Sequence, residues 1–140
     1  MGGQASLHLL LRHPNVFGGA ACLSPYFAPR TLVTALTEAG KTLKNKKLYM
    51  VIGGDSEKAK VPWLDINDHL TLEHWWNPGY FWLDTQLQPF VEMMRMALNF
   101  SGVEHAFYMV PGARHNERDW AQRIHLPLIH LYGKKERRHK

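Results

Sequence analysis

The histidine in Pro111-Gly112-Ala113-Arg114-His115-Asn116-Glu117-Arg118-Asp119-Trp120 is the residue best placed in this chain to move a proton. It follows the apolar run His105-Ala106-Phe107-Tyr108-Met109-Val110, which reads as a buried strand, and precedes a helical stretch over about 117–132. A loop between such a strand and helix stands at the carboxyl edge of a sheet, where open α/β sheets carry their sites. Asn116 suits the N-cap of that helix. Taken alone, the segment also reads as ordinary capping, with His115 one of nine histidines. A second turn brings acid: Lys47-Leu48-Tyr49-Met50-Val51-Ile52 runs into Gly53-Gly54-Asp55, with Glu57 two residues on.

The opening Met1-Gly2-Gly3-Gln4-Ala5-Ser6-Leu7 looks like the second half of a nucleophile elbow cut just after its serine. In that motif, G-x-S-x-G, a strand turns sharply into a helix and leaves the serine Oγ exposed above a sheet. Small residues are required because strand and helix pass so closely. Gly2, Gly3, Ala5 and Ser6 lead here into Leu7, Leu9, Leu10 and Leu11, the pattern of a buried helix. On this feature alone, a disordered leader is the plainer reading.

The elements between these two segments predict their relative placement. Residues 3–13 read as a helix closed by Pro14, which cannot continue it. Residues 16–23 read as a strand buried on both faces, and 31–39 as a helix with Gly40 at its C-cap. Residues 47–52 form the second buried strand. Helix resumes at about 86–99, with Pro89 in its first turn and Phe90, Met93, Met94, Ala97 and Leu98 facing inward. Strands alternating with helices predict an α/β fold of about three parallel strands flanked by helices on both faces. The whole of 1–140 then forms a single partial domain, with one sheet edge left open. An aromatic-rich insert at about 61–84 interrupts the alternation with Trp63, Trp75, Trp76, Tyr80, Phe81 and Trp82. Those rings fit either a packed cover or a wall beside His115.

Composition narrows the function classes. The chain has 140 residues, 45% of them hydrophobic, with no apolar run long enough to span a bilayer. Its net charge of +5 is concentrated in residues 41–47 and in the tail Gly133-Lys134-Lys135-Glu136-Arg137-Arg138-His139-Lys140. That tail lacks interleaved aromatics, so it offers attraction to nucleic acid without a surface that reads it. The single cysteine, Cys22, excludes an intrachain disulfide and a thiolate zinc site, and its apolar neighbours predict a small buried hydrophobe. His69 and His74, like His125 and His130, are five apart and so do not share a helix face as metal ligands would. The expectation is no metal, no nucleic acid and no membrane. The sequence does not fix the compartment.

Several motifs in one order carry a resemblance. Gly112-x-x-His115-Asn116-Glu117-x-x-Trp120 continues to Arg123 and Pro127-Leu128-Ile129-His130-Leu131-Tyr132-Gly133. Ahead of it stand Met1-Gly2-Gly3, His13-Pro14-Asn15-Val16-Phe17 and Ala20-Ala21-Cys22-Leu23-Ser24-Pro25. The chain thereby resembles the C-terminal half of the putative esterase family of α/β-hydrolases, which includes feruloyl, acetyl-xylan and siderophore esterases and the esterase D group. The resemblance covers most of the chain, most loosely across 61–84.

That resemblance implies a serine esterase working through an acyl-enzyme without a cofactor, on a small-molecule or carbohydrate ester. His115 would be the triad histidine. Glu57 or Asp55 would be the triad acid, since the acid follows the preceding strand in this fold. Glu57 has the family's usual spacing from Gly54, and Asp55 lies nearer the strand end. Met1 takes the position of the oxyanion-hole donor, and Trp63, Trp75, Trp76 and Trp82 that of a substrate wall. The nucleophile itself is missing, so the chain reads as truncated and inactive alone. The alternative is a non-catalytic binding or interaction module that pairs with a partner through the open sheet edge and the aromatic insert.

Overall fold

Three parallel strands form one sheet, side by side in chain order, with helices on both faces. The computed structural model describes residues 2–54, 83–113, 115 and 117–133. The elements run α1 (Gly2–Arg12), β1 (Gly19–Leu23), α2 (Pro29–Thr42), β2 (Lys47–Gly54), α3 (Leu83–Phe100), β3 (His105–Pro111), α4 (Glu117–Arg123) and α5 (His125–Tyr132). The order and parallel pairing are those the alternation of apolar runs predicts. No helix among the described residues is long and apolar enough to cross a membrane.

The central strand divides the molecule by alternation of its side chains. Leu48, Met50 and Ile52 join Leu7 and Leu10 of α1, Ala35 of α2, and Val91, Met94 and Leu98 of α3 in one core. Tyr49 faces the other way, toward His130 of α5. Burial of the large residues in this core, at about 25 cal/mol per Å² of apolar area, is the main force holding the sheet to its helices.

Cys22 lies within this core and is fully buried. Burial pushes its thiol up to about 12, against a smaller opposing effect of a backbone hydrogen bond with Leu7. A folded-state value above the unfolded one means that the native protein keeps a proton the unfolded chain loses above about pH 9. Stability should therefore fall as pH rises past that point. Relative to Cys22→Ala, the decline should be about 1.4 kcal/mol per pH unit, read by denaturant unfolding at pH 8, 9 and 10. Parallel decline of both proteins would show that the thiol is not protected.

Several local expectations need correction. The first strand begins at Gly19 rather than at Val16, because Val16 and Phe17 donate backbone hydrogen bonds to the His13 carbonyl in a turn. It is only alternately buried. Leu9 is exposed, so α1 is amphipathic rather than buried throughout. Gly40 is not a C-cap but lies inside α2, where a Cβ would stand 3.0 Å from the Ser101 carbonyl oxygen. Chain reversal after α2 falls to Asn45, at φ 68°.

The C-terminal half departs further. With α3 reaching back to Leu83, Pro89 sits in its second turn. Met93 is exposed and Phe90 half-buried, while Val91 takes an inner position instead. Among the described residues β3 is an edge strand, with Tyr108 and Met109 exposed, rather than a buried one. The last helix is two: Pro127 has no N–H to give the Arg123 carbonyl, and the helix breaks at Ile124.

Candidate active site at the carboxyl edge

Parallel pairing brings the strand ends together: Leu23 aligns with Val51, and Gly54 with Pro111. At that edge, Gln88 of α3 donates from Nε2 to the Gly53 carbonyl at 3.2 Å. Beyond β3 the chain turns back at Gly112, whose φ of 72° is a conformation that glycine adopts without a steric penalty. Its N–H donates to the Gly54 carbonyl at 3.2 Å, and that of Ala113 to Val110 at 3.2 Å. The turn leading to His115 is thus latched to the end of β2, the strand from which Asp55 and Glu57 follow in the chain.

A second set of contacts runs from His115 to β1. The His115 and Trp120 rings meet edge to face, with centroids 5.0 Å apart and planes at 75°. Trp120 donates from Nε1 to Ser24 Oγ at 3.0 Å. Ser24 is buried, its N–H donates to the Val51 carbonyl at 2.7 Å, and its φ is 43°. A left-handed serine costs roughly 1–2 kcal/mol, so its surroundings must hold it there. The start of α1 packs on the same strand end: a Cβ on Gly3 would lie 2.8 Å from Pro25 Cβ and 3.1 Å from the Leu23 carbonyl oxygen. Gly3 therefore meets the close helix–strand passage expected of it, whereas nothing lies within 4 Å of a Cβ on Gly2.

Trp120→Phe keeps a ring against His115 while deleting the donor to Ser24. It should cost about 1–2 kcal/mol by denaturant unfolding, with a coupling of about 1 kcal/mol to Ser24→Ala in a double-mutant cycle. Additive losses would mean that the indole–serine bond does not hold the two segments together.

His115 is half-buried at this edge. Asp55, Glu57, Met1, Trp63, Trp75, Trp76 and Trp82 lie outside the described residues. Ser24 showed itself only as part of a Ser-Pro pair, and no local pattern marks Gln88 as a clamp on β2.

The family model described as "Putative esterase" matches residues 1–131, from the glycine pair through Ser24, His115 and Trp120 to Leu131 in α5. No curated protein and no solved structure matches the chain. The three-stranded parallel sheet with helices on both faces is part of an α/β-hydrolase-like fold, and esterase-type hydrolysis of small-molecule esters is the activity of the family. The chain belongs to the putative esterase family.

Proposed function

We propose that the chain is the histidine-bearing portion of a serine-type carboxylic ester hydrolase. The observation that carries this reading is the convergence on residues 23–25. Gly3 packs against them from α1, and Trp120 bonds to Ser24 while touching His115. A serine set directly before Met1 would enter the sheet edge through α1, on the strand end to which the His115 loop is tied. There His115 takes the hydroxyl proton as the serine oxygen attacks the ester carbonyl. It returns that proton to the departing alcohol, and a water molecule activated by the same imidazole then releases the acid.

Either Glu57 or Asp55 holds the imidazole in one tautomer, and the Met1 backbone N–H donates to the oxyanion. Removal of one such donor costs about 10²–10³ in rate. Trp63, Trp75, Trp76 and Trp82 form the wall against which the acyl or sugar group packs.

The experiment compares two polypeptides on a nitrophenyl acyl ester. The 140-residue chain should show no turnover, and the same chain preceded by Gly-x-Ser and its strand should hydrolyse the ester. Turnover by the 140 residues alone would refute a nucleophile supplied from outside them. The coding DNA gives an independent check. An open frame encoding Gly-x-Ser before Met1 supports the esterase. An in-frame stop there supports the interaction module instead, a reading favoured by the outer edge of β1, which no strand among the described residues pairs with.

A further inference from the structure

Residues 1–37 contain no aspartate or glutamate, and the first acidic side chain is that of Glu38. Arg12 and Arg30 fall in this stretch, and among the described residues neither makes an ion pair. Gln4, His8 and Arg12 recur every four positions along α1, so they share one of its faces. That face and the first turns of α2 border a cleft of about 560 Å³, to which α2 brings Arg30, Thr31 and Thr34. Both arginines therefore line one space, from two helices.

Among the described residues, the cleft is lined by donors and by no carboxylate. Gln4 Oε1 accepts from the Ala28 N–H at 3.2 Å, which ties α1 to the residue before α2 and leaves Nε2 with both hydrogens to give. Thr31 is buried and brings a hydroxyl. Thr34 spends its own hydroxyl on the Arg30 carbonyl at 3.1 Å and serves only as wall. The guanidinium groups stay charged throughout the physiological range. Two like charges on one cleft repel each other and draw anions to it.

A carboxylate is matched by a single guanidinium fork and carries one charge. A phosphate group carries about −1.5 to −2 charges at pH 7 and presents three acceptor oxygens. It can thus answer a guanidinium on each wall and still accept from an amide or a hydroxyl. The cleft also falls within the roughly 300–1,000 Å³ of small-molecule sites.

We propose that the α1–α2 cleft binds a phosphate group, held by Arg12 from one helix and Arg30 from the other. Gln4 Nε2, His8 and Thr31 supply further donors. None of these residues is assigned to ester hydrolysis, so the proposal does not rest on that reading.

Inorganic phosphate titrated in place of chloride at constant ionic strength tests it, with the Arg12 and Arg30 Nε–H resonances followed by NMR. Both should shift saturably with one dissociation constant. Arg12→Gln and Arg30→Gln should each weaken binding about tenfold, and Lys44→Gln, between α2 and β2, should not weaken it. Both arginines are exposed, so these variants should keep the parent's Tm in chloride. Glucose 6-phosphate forms the second arm. Tighter binding of the ester than of the free ion identifies a phosphorylated small molecule as the source, and equal or weaker binding identifies free phosphate. Shifts that grow linearly with phosphate, or that persist undiminished in either arginine variant, show ionic screening alone and overturn the proposal.

Discussion

In a chain extended to carry Gly-x-Ser ahead of Met1, His115→Ala is expected to lower kcat on a nitrophenyl ester by about 10⁴–10⁶-fold, with KM changed far less. The reason lies in the hydroxyl. At neutral pH a serine is a weak nucleophile, and it becomes a strong one only when a base takes its proton as the new bond forms. The imidazole at 115 is half-buried beside Trp120 and tied to the end of β1, so under the proposed function its loss would remove a base in a fixed position rather than a mobile side chain. The same assay decides the acid. Of Asp55→Asn and Glu57→Gln, the variant with the larger loss of kcat, about 10⁴-fold, marks the partner of His115. Full turnover by His115→Ala would end the esterase assignment of this site.

Gly19→Ala is expected to destabilise the protein by about 3 kcal/mol or more, a large share of the roughly 5–15 kcal/mol that holds a typical domain folded. A Cβ at position 19 would stand 2.4 Å from the Lys47 carbonyl oxygen and 2.8 Å from Leu131 Cδ2. The first neighbour is backbone of the paired strand, in register with Gly19, and cannot withdraw without parting β1 from β2. The second belongs to α5, so the same methyl group also pushes that helix off the sheet. Gly18→Ala is the control. Nothing lies within 4 Å of its Cβ, and the change should stay within about 0.5 kcal/mol. Chemical unfolding of both variants beside the parent reads the difference, and coincident curves for Gly19→Ala and the parent would contradict this packing.

Much of the fold is legible because β2 is so apolar. Buried residues run without interruption from Leu48 to Gly53, and the alternation of strands and helices around them leaves parallel pairing as the simple solution. What escapes the sequence is set by neighbours distant along the chain. Gly40 reads as a helix stop, but its role is to admit the Ser101 carbonyl, 61 positions away. Val16 reads as strand by its side chain, yet its backbone is committed to the turn after α1. Pro127 is visible in the sequence, but only the carbonyl it deprives shows where the last helix breaks.

The candidate site divides in the same way. His115 is legible because the turn at Gly112 and the helix behind it are local features. The bond that ties its neighbour Trp120 to Ser24 spans 96 positions and leaves no local trace. The choice between Asp55 and Glu57 rests on spacing alone, and both lie outside the described residues.

Among the described residues, the outer edge of β1 has no strand beside it, and its sequence Gly19-Ala20-Ala21-Cys22-Leu23 contains neither a charge nor a proline. Natural edges are usually guarded by such residues against pairing with foreign strands. The isolated polypeptide should therefore be an unquiet solute, its light scattering climbing with concentration. A lysine at Ala21, whose backbone lies on that rim, should calm it.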